Sequence, residues 1–132
     1  MSDAFADTAY WIALLNVRDE YHSKAMSLAR GYVRFVTTQW ILVELLDGFC
    51  GEATRQGALD FVRILERQSN LVIVEANSAW LKRGMDFYSQ RKDKAWSLTD
   101  CVSIEVMNEY GLMQALTADH HFEQAGFVAL LK

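Results

Sequence analysis

Two hydrophobic patterns alternate along the chain. Short runs of consecutive apolar residues, such as residues 71–74, are typical of strands that are buried on both faces. Longer segments, such as residues 54–68, repeat apolar residues every three or four positions, as helices with one buried face do. The pattern predicts strands at residues 4–7, 32–37, 71–74, 113–116 and 127–130, and helices at residues 8–15, 22–30, 39–49, 54–68, 78–90, 97–110 and 119–124. Because helices separate the short apolar strands, we expect an α/β fold with a mostly parallel sheet of four to five strands, covered on both faces.

Capping residues mark where several of these helices begin and end. Thr38, Ser78 and Ser97 stand where an N-cap hydroxyl accepts a hydrogen bond from the first turn, and Gly31 and Gly111 follow the last turns of two helices. No repeat, linker or low-complexity segment divides the 132 residues, a length typical of one domain. We therefore expect a single domain over residues 1–132.

Two acidic residues follow predicted strands. Asp7 comes at the end of the first strand, and Asp119 comes shortly after the strand at residues 113–116. Each also precedes a predicted helix, where an Asp side chain commonly caps the free N–H groups of the first turn. In parallel sheets, however, functional sites gather at the carboxyl ends of the strands. Taken alone, each residue is therefore open to a capping role and to a functional one.

Two further acids lie on predicted helices. Glu44 stands in the apolar segment 40–46, and a helix that is apolar all round is usually buried, so we expect a buried carboxylate that binds metal or pairs with a distant Arg. Asp100 follows Ser97 by three residues, as in a capping box. An Asp in the first helical turn also points beyond the helix end, where metals and phosphates collect.

A parallel sheet would bring Asp7, Glu44, Asp100 and Asp119 together at one edge. Clustered carboxylates repel one another unless a cation neutralises them. An all-oxygen cluster without Cys or His ligands suits hard ions. These four residues therefore predict a site for one or two Mg²⁺ or Mn²⁺ ions.

Charge and cysteine content change this interpretation little. The formal net charge is −4, from 13 basic and 17 acidic residues, which is unfavourable for binding nucleic acid. Setting the four candidate ligands aside leaves 13 acidic residues against 13 basic ones, so charge does not exclude a nucleic-acid substrate.

Cys50 and Cys101 form no CxxC pair and are expected to be free, buried thiols of a reducing compartment. With no visible signal peptide or membrane-spanning run, we expect a cytoplasmic protein.

Four short motifs contain the candidate acids. They are Phe5-Ala6-Asp7-Thr8-Ala9, Glu44 in the third helix, Ser97-Leu98-Thr99-Asp100-Cys101 and Leu116-Thr117-Ala118-Asp119-His120-His121-Phe122. In this order and spacing the chain resembles the PIN-domain nucleases over essentially its whole length, and especially the toxin subunits of VapBC-type toxin–antitoxin pairs. Ala9 is a departure, because the family often has Ser at this position.

The resemblance implies a three-layer α/β/α fold and a metal-dependent endoribonuclease. Its catalytic metal ligands would be Asp7, Glu44, Asp100 and Asp119, and the hydroxyls that support them or touch substrate would be Thr8, Ser97, Thr99 and Thr117, with Thr117 orienting the last acid. A divalent ion in such a site activates water for attack on an RNA phosphodiester. The implied products carry 5′-phosphate and 3′-hydroxyl ends.

Basic and imidazole side chains surround the last two motifs. Arg91, Lys92 and Lys94 either contact RNA phosphates or form a solvated charge run. His120 and His121 are adjacent, and adjacent residues rarely face one metal, so we do not expect a zinc site. His121 is expected to have a structural role beside the following turn.

The resemblance also implies partners. These are a homodimer and a cognate antitoxin protein, whose tail would fill the acidic groove. Tyr10, Trp11 and Leu14 either serve such contacts or belong to the core. The alternative function is a PIN-like module that binds RNA or protein without cleavage, which the intact set of four acids disfavours. A receiver domain would need paired acids after the first strand, and nucleotide-binding folds would need a glycine-rich phosphate motif; neither is present.

Overall fold

A computed structural model describes residues 3–32 and 34–132 and confirms the α/β fold. The elements are β1 (Ala4–Ala6), α1 (Thr8–Leu15), α2 (His22–Leu28), β2 (Phe35–Thr38), α3 (Gln39–Gly48), α4 (Arg55–Leu65), β3 (Leu71–Val74), α5 (Ser78–Gln90), α6 (Leu98–Tyr110), β4 (Gln114–Leu116), α7 (His120–Gln124) and β5 (Val128–Ala129). Each predicted strand and helix therefore corresponds to an observed one, with changes at the boundaries.

The sheet has the strand order β3-β2-β1-β4-β5, and every neighbouring pair in it is parallel. Phe5 of the central strand pairs with Val36 of β2 on one side and with Ala115 of β4 on the other. The next two strands along the chain, β2 and β3, lie on one side of β1, and the last two, β4 and β5, lie on the other. Such a reversal opens a crevice at the carboxyl ends of the central strands, where α/β proteins bind ligands.

The centre of the sheet forms the core of the protein. β1 and β2 are buried along their whole length, whereas edge strand β5 is partly exposed. Helix α1 packs against α2 and α3, and α3 packs against α4, while α5 packs closely on α6, which also contacts α7. At the α5–α6 contact, a Cβ atom on Gly84 would lie 2.4 Å from Cγ2 of Val102, so this approach requires glycine. No helix within the two described ranges is long and apolar enough to cross a membrane.

The boundary differences have local causes. β2 begins at Phe35 rather than at residue 32; Val33, which the prediction included, lies outside the described residues. Thr38 ends β2 and also caps α3, as predicted, by accepting a 3.2 Å hydrogen bond from the Ile41 N–H. α2 ends at Leu28 instead of residue 30, with Ala29 rather than Gly31 at its C-cap position, because the Arg30 and Gly31 amides bond three residues back and tighten the chain into a turn.

The predicted caps are confirmed at two further helix ends and wrong at one. Asn77, rather than Ser78, caps α5, with its Oδ1 accepting a 2.9 Å hydrogen bond from the Trp80 N–H. Ser97 forms the predicted capping box at α6. Gly111 ends that helix with φ 66°, in the left-handed region that favours glycine.

Three expectations about burial are resolved by the packing. Tyr10 and Trp11 are core residues, with 1% and 3% exposure, so the core alternative holds for both. The Tyr10 ring stacks on Phe35 at 6.1 Å, and Leu14 is half-buried against the same core. Cys101 is a buried free thiol as predicted, but Cys50 is exposed, because it follows the end of α3 in a surface turn.

Candidate active site

An open cleft lies where β1 and β4 end, at the point where the strand order reverses. Its lining comprises Asp7, Thr8, Ala9, Ile12, Glu44, Ala95, Ser97, Asp100, Asp119 and His121. All four predicted acids therefore face one cleft, although they come from four separate parts of the chain.

Asp7 is the most buried acid of the cleft. It occupies the N-cap position of α1, but its side chain makes no capping hydrogen bond. Instead, Oδ2 accepts a 2.8 Å hydrogen bond from the Thr117 hydroxyl. Burial raises the pKa of Asp7 from 3.8 to about 7; the Thr117 hydrogen bond opposes this shift, and the negative charges of Asp100 and Glu44 add to it. The capping interpretation is therefore wrong, and the carboxyl is held in the cleft at an electrostatic cost.

Glu44 reaches the cleft from α3. Its Oε1 accepts a 2.5 Å hydrogen bond from the Thr8 hydroxyl, which holds the side chain across the site. The expectation that Glu44 is buried is wrong, because the residue is exposed. Although α3 is apolar almost all round, it buries Ile41, Leu42 and Leu45 on one face and leaves Val43 56% exposed on the other.

Asp100 is oriented by the start of α6. Its Oδ2 accepts a 3.1 Å hydrogen bond from the Ser97 N–H, and the Asp100 N–H donates to Ser97 Oγ at 3.0 Å. This reciprocal pair fixes the first turn of α6 and directs the carboxylate beyond the helix end. Capping and participation in the cleft are therefore combined, as the sequence predicted.

Asp119 follows β4 and caps the short helix α7. Its Oδ1 accepts a 2.9 Å hydrogen bond from the His121 N–H. Its own N–H donates to the Thr117 hydroxyl at 3.0 Å. Thr117, fully buried, therefore touches both Asp7 and Asp119, and it orients two acids rather than the last one alone.

His121 lies among the acids, contrary to the expectation of a purely structural role beside the turn. Its Nδ1 is 3.1 Å from Asp100 Oδ2 and 3.2 Å from Asp119 Oδ1. One turn of α7 is enough to direct this ring back over the cleft, whereas the side chain of His120 is 65% exposed. The available signal in the sequence was its position two residues after Asp119, on the turn that the acid caps.

The donor set fits a hard divalent cation. Asp7 is a buried carboxylate, and the cleft has no Lys or Arg in its lining. Within residues 3–32 and 34–132, the one group of three candidate ligands whose atoms lie within 4.8 Å of one another is Asp119, His120 and His121. Among the described residues, no three of the four acids meet that distance. Mg²⁺ usually keeps several waters and binds through one or two carboxylates, so it does not need all four acids in mutual contact.

The other predicted site residues are divided between the cleft and its surroundings. Thr8 and Ser97 line the cleft and Thr117 lies behind it, whereas Thr99 is half-buried and is not part of the lining. The three basic residues belong to a neighbouring groove, which we call the α5–α6 groove. It is lined by Tyr88, Arg91, Lys92, Lys94, Ala95, Trp96 and Cys101.

Comparison with known proteins agrees with this fold. Residues 4–128 match the family model of the PIN domain. The chain is 31% identical over 129 residues to the 23S rRNA-specific endonuclease VapC20 of Mycobacterium tuberculosis, covering 94% of this chain and 95% of the relative.

Solved structures show the same fold. The crystal structure of M. tuberculosis VapC20, described as a Sarcin-Ricin loop cleaving toxin, superposes with a TM-score of 0.84 at 22% identity, over 95% of this chain and 96% of that one. DNA-bound VapBC from Salmonella typhimurium gives a TM-score of 0.68 at 16% identity, over 98% and 97%. The family model matches almost the whole chain, and the sequence relative is 31% identical over nearly its full length. The chain belongs to the PIN-domain family.

Proposed function

We propose that this protein is a metal-dependent endoribonuclease. The observation that carries the proposal is the convergence of Asp7, Glu44, Asp100 and Asp119 on one cleft. All four acids are held by a hydroxyl or backbone partner, and one of them, Asp7, is buried at the cost of a strongly raised pKa. A buried carboxylate such as Asp7, whose side chain forms no ion pair in the described part of the chain, suits a cation site better than a structural network.

The cation would be one or two Mg²⁺ or Mn²⁺ ions held by the four acids. When bound, such an ion supplies charge neutralisation at the phosphate and a water of lowered pKa. The protein's own residues supply placement. Thr117 holds Asp7, and Thr8 holds Glu44, so that both carboxylates are fixed in the cleft before a cation binds.

His121 completes this placement. Its Nδ1 lies within hydrogen-bond distance of both Asp100 and Asp119, at 3.1 and 3.2 Å, so the ring bridges the two carboxylates. The cleft remains open, so an extended phosphodiester can enter it without a lid moving. These residues therefore bind and orient the cation and the scissile phosphate.

The substrate class follows from the relative. Because the chain shares 31% identity with an rRNA-specific endonuclease across nearly its whole length, we infer an RNA substrate and hence a cytoplasmic site of action. VapBC complexes are among its structural neighbours. We accordingly infer a toxin that forms a homodimer and is held by a cognate antitoxin.

A PIN-like module that binds RNA without cleaving it is the alternative function. All four acids are present and are positioned by hydrogen bonds or a helix cap, which favours the nuclease. The two functions differ in whether purified protein cuts RNA.

Cleavage of total cellular RNA, with Mg²⁺ or Mn²⁺ and with EDTA, tests the proposal. We expect cutting by the parent protein with metal, and loss of cutting in EDTA and in Glu44→Gln and Asp7→Asn. Asp47→Asn is the matched control, since it removes an exposed carboxylate from α3 outside the cleft and should cut as the parent does. Metal-independent cutting, or full activity of Asp7→Asn, would show that the site is wrongly assigned. A parent protein that binds RNA and never cuts it would establish the binding module.

A further inference from the structure

We propose that the α5–α6 groove is the binding site for the RNA segment next to the scissile phosphate, an inference that rests on the proposed function. The predicted phosphate contacts Lys92 and Lys94 belong to this groove, and Tyr88 adds a base-stacking surface that the sequence had not indicated. The ligand is a stretch of unpaired RNA, recognised by its phosphates and one base.

The groove and the acid cleft are continuous. Ala95 lines both of them. Asp100 lines the cleft and Cys101, the next residue along α6, lines the groove. Consecutive Cα atoms are only about 3.8 Å apart, so a strand whose phosphate lies at the acids extends directly into the groove.

The cations of the groove are unequally available. Arg91 is engaged by Asp93, with Nε–Oδ1 and Nη2–Oδ2 distances of 3.0 and 3.1 Å. Its guanidinium also lies over the Trp96 ring, 4.8 Å from the centroid. Within the described part of the chain, Lys92 and Lys94 form no ion pair, although the charge of Lys94 helps to lower the pKa of Asp93. These two lysines are therefore the groups that can receive phosphates.

The two aromatic side chains of the groove also differ in whether they can contact RNA. Trp96 is 4% exposed, and its ring is stacked on Phe87 at 5.6 Å, so it supports the groove instead of meeting a base. Tyr88 is 54% exposed on α5 and lines the groove beside the lysines. An exposed ring next to free cations is the combination with which proteins bind single-stranded nucleic acid.

Electrostatics favour RNA at this position. The cleft alone presents four acids, which repel a polyanion when the metal is absent or only partly neutralises them. The adjoining loop carries Arg91, Lys92 and Lys94 against Asp93, a local excess of positive charge. Positive charges in a groove that begins one residue from Asp100 would hold the RNA strand so that its scissile phosphate lies at the acids.

Direct binding of a fluorescein-labelled single-stranded RNA oligonucleotide to full-length Glu44→Gln protein, in Mg²⁺ buffer, tests the groove. Adding Lys92→Glu and Lys94→Glu should weaken the affinity at least tenfold. Replacing each lysine by Gln should reduce the slope of log affinity against log salt by about 0.7. Tyr88→Ala should weaken binding about tenfold, while Tyr88→Phe, which keeps the ring, should bind nearly as the parent does.

Matched controls lie on the same two helices outside the groove. Lys82→Glu on α5 and Tyr110→Ala on α6 alter an exposed lysine and an exposed ring, and both should bind as Glu44→Gln alone does. Equal binding by the groove variants and these controls would overturn the proposal, as would the absence of RNA binding by Glu44→Gln. If the lysine variants instead lose binding to a poly-glutamate peptide and keep RNA binding, the groove is an acidic-protein site. Failure of the nuclease proposal is seen separately, as the absence of metal-dependent cleavage by the parent.

Discussion

The burial of Asp7 predicts that removing its charge stabilises the metal-free protein at neutral pH. Asp7→Asn is nearly isosteric, and its side-chain oxygen can still accept the hydrogen bond from Thr117, 2.8 Å from Oδ2 in the parent. Asp7 is 8% exposed, so solvent screens its charge only weakly. The substitution should therefore remove the cost of an ionised carboxylate while leaving the packing intact.

The size and the pH dependence of this stabilisation follow from the raised pKa of Asp7. In the unfolded chain Asp7 ionises near its ordinary pKa of 3.8, and in the folded protein near a pKa of about 7. A raised folded pKa favours the protonated form, so Asp7 does not destabilise the parent below pH 3.8. The free energy of unfolding of the parent then falls as the pH rises to about 7, and above that the loss is constant. About three pKa units correspond to about 4 kcal/mol at most.

The amide of Asn introduces an opposing cost. Its buried NH₂ group needs an acceptor, and an unsatisfied one costs about 1–3 kcal/mol at every pH. The pH-dependent part is therefore the diagnostic quantity. Between about pH 5 and about pH 8, the stability of Asp7→Asn should rise relative to the parent by about 3 kcal/mol, about two pKa units' worth.

Urea unfolding followed by circular dichroism in EDTA, at both pH values, measures this difference. Asp47→Asn is the matched control, because it removes an exposed carboxylate of α3 that does not line the cleft or act on Asp7, and its difference from the parent should change far less between the two pH values than that of Asp7→Asn. Adding Mg²⁺ above about pH 7 should stabilise the parent but not Asp7→Asn. A difference between Asp7→Asn and the parent that is the same at both pH values would refute the burial argument.

Two further predictions concern the α5–α6 contact and His121. Gly84→Ala should destabilise the protein by about 1–3 kcal/mol in urea unfolding, since its Cβ would meet the branched side chain of Val102 at 2.4 Å. Gly57→Ala, with nothing within 4 Å of the new Cβ, should be neutral or stabilising by up to about 1 kcal/mol, and equal effects of the two would contradict the packing argument. His121→Ala should lower Mn²⁺ affinity, measured by titration calorimetry, by about 10–100-fold, with His121→Asn intermediate. Parent-like affinity of His121→Ala would mean that its contacts at 3.1 and 3.2 Å do not position the acids.

Much of the fold could be predicted because its determinants are local. The apolar run at β3 and the one-faced repeat of α4 are visible within a few residues, and both elements occur where expected. The errors are local as well. Ser78 was a plausible cap, but Asn77 stands one residue earlier and its side chain reaches the Trp80 N–H first. Adjacent capping residues compete, and sequence alone does not decide between them.

In the candidate site too, contacts between residues close in sequence could be predicted, whereas contacts between distant residues could not. The bond between Ser97 and Asp100 spans three residues, and this capping box was readable from spacing. Thr8 reaches Glu44 across 36 residues and Thr117 reaches Asp7 across 110, so these contacts depend on strand order. Only the resemblance to the PIN-domain family had indicated that those hydroxyls support the acids.

The exposure of individual side chains is poorly predicted from the sequence, and Glu44 shows why. A hydrophobic pattern reports how apolar a helix is, whereas exposure depends on which of its faces another element covers. α3 covers the core with Ile41 and Leu45, both 0% exposed, yet leaves Val43 and Glu44 at the surface. The buried member of the acid set is instead Asp7, whose flanking residues gave no such signal, because it lies at the centre of the sheet where the chain turns from β1 into α1. The cost of ionising Asp7 therefore follows from its position at the centre of the sheet. Its burial is visible only in the folded structure.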